Sequence, residues 1–352
     1  MDLQDLWFCL IAFFFSAYFV LEGFDFGVGL LLPFLPHNEE ERSTMFRTIG
    51  PVWDGNEVWL VIAGAAMFAA FPTWYATMFS GFYIALLLLL VLLIVRVLSF
   101  EWRERNEHSR WLGFWAWANT IGSFGAGLIW GVAFSNLLYG VPINSSGDFD
   151  GSFWDLFNLY TLLGGVAVVL LFAFHGATYL TLRTTGDLCR RAAAAAGRLS
   201  IATAVVGAGF LIWTVAVAVD RNDKDVFPPI LPAALGVIAL VIAVVSVFAK
   251  RSGRAFTMTA LGTLLLVATI FTSLYPRVLV SSTDFSNSLT VSNASSSHYA
   301  LTVMTVVALI VTPIVLLYQG WTYYVFRARL SGEKVESPVA AIAEKTGGAP
   351  AG

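Results

Sequence analysis

Cysteine, histidine and charge are all scarce in this 352-residue sequence, and each scarcity excludes something. The two cysteines, Cys9 and Cys189, lie far apart, one in an apolar run and one in a polar segment. They form neither a disulfide framework nor a thiolate metal pattern. Of the four histidines only His175 falls inside an apolar run; His37 and His108 sit in basic segments and His298 borders a polar one. Two ligating histidines facing each other in a membrane cannot be drawn from that set, and no metal centre is expected. Charged residues make up 12% of the chain, against about 25% in a soluble domain. The sequence contains no phosphate-binding Gly-Lys loop, no zinc signature and no nucleophile–base constellation.

What is abundant is apolar sequence, at 58% hydrophobic residues and a mean hydropathy of +0.76. The bilayer is the main solvent. A spanning helix needs about 20 apolar residues. Nine candidates meet that need: 6–35, 52–71, 75–98, 112–137, 156–182, 199–219, 229–249, 257–280 and 299–326. Residues 1–5 carry no basic stretch, so the first run is expected to stay as a helix and not to be cleaved as a leader. An odd number of spans puts the termini on opposite sides. With the N-terminus outside, every Lys and Arg except Arg221, Lys224 and Arg277 falls in an inner segment or in the tail. Positive residues mark the cytoplasmic side, so the N-terminus is expected outside and the C-terminus inside. The same rule accounts for the basic segments with no nucleic-acid partner.

An internal echo suggests duplication. His175-Gly176-Ala177-Thr178-Tyr179-Leu180-Thr181-Leu182-Arg183 and Gln319-Gly320-Trp321-Thr322-Tyr323-Tyr324-Val325-Phe326-Arg327 share Gly, Thr, Tyr and Arg at a shift of 144. The expected architecture is an all-α polytopic membrane protein built as two pseudo-repeated four-helix bundles, 1–138 and 139–282. A ninth helix with its preceding outer loop, 283–329, follows, and then a disordered cytoplasmic tail, 330–352.

The chemistry-bearing residues gather in few places. The segment Gly50-Pro51-Val52-Trp53-Asp54-Gly55-Asn56-Glu57-Val58-Trp59-Leu60 sets two carboxylates, a carboxamide and two indoles at the mouth of an apolar run. Asp54 and Glu57 are three apart and share a helical face. Either they serve a site, or they merely suit the positive end of the helix dipole. The first span carries Glu22 and Asp25 on one face, and Asp25 lies about 15 Å from the span's inner end. A carboxylate at that depth needs a partner or a proton, and such residues are functional candidates by default. Gly23, Gly27 and Gly29 beside them suit close helix approach. Arg96 ends the most apolar run, and two readings stay open for it. It snorkels to the interface as a positive-inside anchor, or it pairs with Asp25 or Asp54. His175 alone suits a hydrogen-bonded structural residue better than a haem ligand. Most of the 12 tryptophans fall near helix ends, as interfacial belts do; Trp53, beside Asp54, is the one kept as a candidate.

Several segments together resemble subunit II of the cytochrome bd type ubiquinol/menaquinol oxidases. They are Gly23-Phe24-Asp25-Phe26-Gly27-Val28-Gly29, the segment from Gly50 to Leu60, Ser80-Gly81-Phe82-Tyr83, Gly131-Val132-Ala133-Phe134-Ser135-Asn136-Leu137-Leu138, Gly176-Ala177-Thr178-Tyr179-Leu180 and Leu289-Thr290-Val291-Ser292-Asn293-Ala294-Ser295-Ser296-Ser297. The resemblance runs through all nine spans. It implies a multi-pass protein of the bacterial plasma membrane, paired with a haem-bearing subunit I that holds the b-type and d-type haems and the quinol site. Small accessory subunits, membrane lipids and quinone are the other partners implied. The complex would oxidise quinol and reduce dioxygen to water, and this subunit would support its partner and supply cytoplasmic protons. Asp54, Glu57, Asp25 and His175 would form the proton pathway. Trp53, Arg96, Glu22 and Asn56 would serve charge pairing and the subunit interface, with no metal ligand and no directly catalytic residue among them. The chain departs from the pattern at His175, where relatives carry Gln, and at Ala116, where some carry Asp. The reading from another class is a parallel-repeat secondary transporter whose membrane carboxylates bind H+ or Na+. It calls for helices broken near the bilayer midplane.

Overall fold

A computed structural model describes residues 2–106 and 108–331 of the chain. Most of the expected disordered tail, from 332 onward, lies outside the described residues. The helices follow in order as α1 (Leu3–Leu31), α2 (Glu39–Ile49), α3 (Trp53–Ala70), α4 (Pro72–Gly81), α5 (Tyr83–Arg103) and α6 (Ser109–Tyr139). Then come α7 (Leu159–Arg183), α8 (Gly186–Asn222), α9 (Ile230–Phe248), α10 (Ser252–Leu274) and α11 (His298–Val325). A small antiparallel ladder, β1 (Arg277–Leu279) with β2 (Leu289–Thr290), folds the segment before α11. Among the described residues eight helices are long and apolar enough to cross a membrane, and a ninth if α3 and α4 count as one broken span.

Helix α1 is central and touches α3, α6, α7, α10 and α11. Lipid chains are as apolar as leucine, so these helices gain little from hydrophobic transfer and rely on close packing. Small residues supply it. A Cβ on Gly27 would lie 1.9 Å from the Phe172 carbonyl oxygen, and one on Gly176 would lie 2.3 Å from the Gly27 carbonyl carbon. The α1 and α7 backbones therefore touch where only glycine fits. Aromatic rings fill the next layer, with Phe134 of α6 4.9 Å from Phe19 and 5.0 Å from Phe15.

Two ends are distinguishable. At one, Tyr179 donates to the Thr48 carbonyl (2.8 Å), the Leu330 amide donates to the Arg183 carbonyl (2.8 Å), and Arg191 holds Glu41. This is the basic end. At the other, Tyr275 donates to Asp5 (3.1 Å) and the Ser296 amide donates to the Ala70 carbonyl (2.8 Å).

Four boundaries differ from the sequence expectation. The first span stops at Leu31 and not at 35, because Pro33 and Pro36 follow and cannot continue a helix. The inner segment 36–51 holds helix α2, capped by Asn38, whose side chain accepts from the Glu41 amide at 2.9 Å. Its acidic first turn, Glu39, Glu40 and Glu41, suits the dipole. The span expected at 75–98 is split. Phe71 leaves helical geometry ahead of Pro72, α4 bends away from α3 by 120°, and α5 begins only at Tyr83 and runs on to Arg103. The inner segment 183–198 is mostly the start of α8. Its 37 residues reach about 55 Å at 1.5 Å each, well past a hydrocarbon core of about 30 Å. The alanine run 192–196 makes that extension a good helix.

Helix α11 stands apart. Its only buried residues are Leu301 and Gln319. Near one end Trp7 Nε1 donates to the Leu301 carbonyl (3.2 Å) and to Thr305 Oγ1 (3.0 Å). Between its two anchors an apolar cavity of about 400 Å³ separates it from α1 and α3, lined by Phe14, Trp59 and Val311 among others. Pro313 lies within the helix and does not break it.

Candidate functional site

Four of the expected residues meet near the basic end of α1, α3 and α5. Glu22 and Asp25 come from α1, Asn56 from the first turns of α3, and Arg96 from α5, and all four are fully buried. Asp25 lies six residues, about 9 Å, from the observed end of α1, closer to the surface than the longer expected span implied. Arg96 Nη1 lies 2.5 Å from Glu22 Oε1. The guanidinium carbon also faces the rings of Phe26 (4.7 Å) and Phe100 (5.5 Å). Arg96 therefore neither snorkels nor pairs with Asp54; its ion-pair partner is Glu22. The reason is length: α5 runs seven residues beyond Arg96, which keeps it inside the bundle.

Asn56 joins this group to a helix from the far end of the sequence. Its Nδ2 donates to Asp25 Oδ2 at 2.7 Å and to the Leu21 carbonyl at 3.2 Å. Its Oδ1 accepts from Gln319 Nε2 at 2.8 Å and from the Tyr323 hydroxyl at 2.6 Å. Neither Gln319 nor Tyr323 was singled out from the sequence as a site residue. The echo of 144 residues aligns Gln319 with His175 and was the one signal pointing to it.

The other expected residues lie around this group. Trp53 is half-buried and stacks on Phe100 at 5.2 Å and 6°. Phe100 thus has an indole near one side and the Arg96 guanidinium near its ring. A cleft of about 230 Å³, lined by Trp53, Phe100, Arg47, Glu101 and Arg103, opens at this wall. Asp54 is exposed in the first turn of α3, on the strip it shares with exposed Val58 and Val61. Glu57 is half-buried on the next turn. Helix α2 lies alongside and is strapped by ion pairs, Glu39 to Arg103 and Glu41 to Arg191. Partial burial pushes the Glu41 carboxyl up, but the His37 amide and the Arg191 guanidinium outweigh it and hold that carboxyl below the usual range.

His175 is buried and shares no hydrogen bond with the acid group. One ring nitrogen meets the Val20 carbonyl at 3.1 Å and the other meets Thr259 Oγ1 at 2.7 Å. The carbonyl can only accept, so Nε2 carries the hydrogen; in the neutral ring Nδ1 then accepts from the Thr259 hydroxyl, which turns to it from the Phe256 carbonyl at 2.9 Å. The ring lies flat on Phe256 at 4.6 Å and 9°. Both nitrogens are occupied and one face is covered, so this residue does not fit an axial haem ligand. His37, His108 and His298 are exposed. Among the described residues, no cluster of three or more His, Cys, Asp or Glu could hold a metal ion.

A family model described as cytochrome bd terminal oxidase subunit II matches residues 3–326. The chain belongs to that family. Cytochrome bd ubiquinol oxidase subunit 2 of Bacillus subtilis (strain 168) is 44% identical over 335 residues, which cover 94% of this chain and 97% of that protein. Cytochrome bd-I ubiquinol oxidase subunit 2 of Escherichia coli (strain K12) is 37% identical over 366 residues, covering 95% and 97%. The solved bd oxidase of Geobacillus thermodenitrificans shares the fold, with a TM-score of 0.69 at 18% identity over 91% of this chain and 99% of that one. As a bd oxidase subunit II, the chain is a multi-pass bacterial membrane protein and one subunit of a quinol:oxygen oxidoreductase. That family is not one of transporters, and α11 is unbroken at Pro313, so the transporter reading is set aside.

Proposed function

We propose that this subunit II supports a haem-bearing subunit I and supplies it with cytoplasmic protons for the reduction of dioxygen by quinol. The observation that carries the reading is the buried group of Glu22, Asp25, Arg96 and Asn56. One guanidinium there faces two fully buried carboxyls. An unbalanced charge at that depth is very costly, so charge balance is met when one carboxyl holds a proton. Such a pair is a place where a proton can wait. Asp54, exposed at the mouth of α3, collects protons from the cytoplasm, and Glu57 and Asp25 carry them inward. The Trp53–Phe100 stack walls the Arg96–Glu22 pair from the cleft. His175 stands outside the path, since a donor to Val20 and an acceptor from Thr259 is what a glutamine would also provide.

The b-type and d-type haems are assigned to subunit I, because the buried histidine of this chain does not fit a haem, and the quinol site is assigned there with them. Helix α11 is assigned to the subunit interface, since a helix with two buried residues has few packing partners within its own chain. We also read α1, α3, α5 and α6 (1–138, to within one residue of the end of α6) and α7 to α10 (within 139–282) as the two repeats, with α11 and its loop (283–329) added. The support is that α7 to α10 pack in succession and α10 returns to α7. The basic end is assigned to the cytoplasm.

The test is Asp54→Asn in the intact oxidase. Quinol-driven oxygen consumption is expected to fall several-fold while haem content stays at the parent value. Unchanged turnover removes Asp54 from the path.

A further inference from the structure

We propose that Gln319 and Tyr323 of α11 are positioning residues for Asp25, acting through Asn56. The inference rests on the reading of Asp25 as a proton carrier. Asn56 hydrogen-bonds to both α1 and α11 at this site, and its hydrogen-bonding capacity is fully used. Its amide nitrogen has two hydrogens, and they go to Asp25 Oδ2 and the Leu21 carbonyl. Its amide oxygen has two lone pairs, and they take the Gln319 amide and the Tyr323 hydroxyl. The two faces agree on one orientation. Turned over, the amide would set its oxygen against the Leu21 carbonyl and the Asp25 carboxylate, two acceptors with no hydrogen to give it.

The orientation has a chemical consequence. Asp25 Oδ2 is committed to Asn56, while Oδ1 meets no N–H or O–H donor among the described residues, and the carboxyl lies within reach of Glu22, with which it can share a proton. Holding Asn56 fixed leaves one defined oxygen of Asp25 to receive a proton and pass it on, with Glu22 as its neighbour. Other features point the same way. Gln319 is one of two buried residues on an otherwise exposed helix, and it is polar where an apolar contact would have served packing alone. Gly55 lies beside Asn56, and a Cβ there would stand 3.2 Å from Gln319 Oε1, so the glycine leaves room for the amide to reach Asn56. A merely adhesive contact would need neither the polar side chain nor the matched donors.

The variants are made in the intact two-subunit oxidase. Gln319→Glu keeps the shape but sets an acceptor against Asn56 Oδ1. Tyr323→Phe removes a single oxygen atom. Haem content is read from reduced-minus-oxidised visible spectra, turnover from quinol-driven oxygen consumption, and the carboxyl group itself from infrared difference spectra. Q319E is expected to keep its haem and lose up to roughly tenfold in turnover, the upper scale of one neutral hydrogen bond. It should also shift the carboxyl stretching band that Asp25→Asn abolishes. In an Asn56→Leu background Q319E should cost nothing further, because the link is already cut. Parent-like turnover and an unmoved band in Q319E, or losses that multiply in the Asn56→Leu background, overturn the proposal. If Q319E sheds haem, Y323F decides by the same readouts. Asp25→Asn with parent turnover would instead sink the proton-carrier reading. Slow Asp25→Asn with normal Q319E and Y323F sinks only the positioning role.

Discussion

Arg96 is the residue whose burial has the largest consequence. Moving a guanidinium out of water costs several kcal/mol, and Glu22 at 2.5 Å with two facing rings offsets that cost. Removing one member of such a pair costs about 3–5 kcal/mol, whereas replacing both with apolar side chains is often near neutral. The two members are not equivalent here. If Glu22 is lost, Asp25 one turn away remains to face the guanidinium; if Arg96 is lost, two carboxyls face each other with no cation. Arg96→Leu is therefore expected to lower the unfolding temperature of the oxidase more than Glu22→Gln. The double variant Glu22→Leu with Arg96→Met should recover most of the loss. Thermal unfolding of the purified complex checks this, and equal losses for the two single variants would mean that Asp25 does not share the cation. Glu22, Asp25 and Arg96 were legible in the sequence because an ionisable group in an apolar run is costly and rare, and so marks itself out. Gln319 and Tyr323 were not. They are uncharged and near a helix end, where interfacial residues of the same kinds are common.

At the scale of elements, the long apolar runs became helices, one of them split at Phe82, since a helix satisfies its backbone groups within its own segment. What sequence reading missed were the pieces outside the hydrocarbon, where that constraint lapses. Helix α2 is polar and short, and its signal was local: Asn38 as cap, then three acids. The same lapse hid the extension of α8. Helix α2 matters to the site because its ion pairs tie it to α5 and α8 around the basic end. The Glu41 carboxyl is held below its usual range in the folded chain. A lowered group contributes stability above its unfolded value and loses that contribution as pH falls through the folded one. The tie between α2 and α8 is thus expected to hold at neutral pH and to loosen on acidification below the ordinary carboxylate range. The pair is near the surface, so its worth is about 0.2–1 kcal/mol. Hydrogen exchange of the α2 amides should quicken at acid pH in the parent protein. Glu41→Gln should show the faster exchange already at neutral pH, and a parent-like rate in that variant would assign the holding of α2 to Glu39 and Arg103.

The whole molecule is a bundle with one unfinished side. Helices α1 and α7 are clamped backbone to backbone at Gly27 and Gly176, while α11 is fastened near its ends and stands off an apolar cavity between them. An arrangement of this kind gains packing when a second subunit covers it. The histidines give the complementary argument. The only buried one is spent on Val20 and Thr259 and lies flat on Phe256, which supports the proposed assignment of the haems to the partner. Two preparations separate the possibilities. Drawn from its native membrane in mild detergent, the chain is expected to arrive with a second large subunit, and the dithionite-reduced minus oxidised spectrum should show b-type and d-type haem bands. Produced without that subunit, the same chain is expected to be colourless even when haem is supplied. A colourless, solitary protein from the native membrane would overturn the assignment to a two-subunit oxidase. Haem bands on the chain produced alone would overturn the assignment of haem to the partner and put His175 back among the candidate ligands.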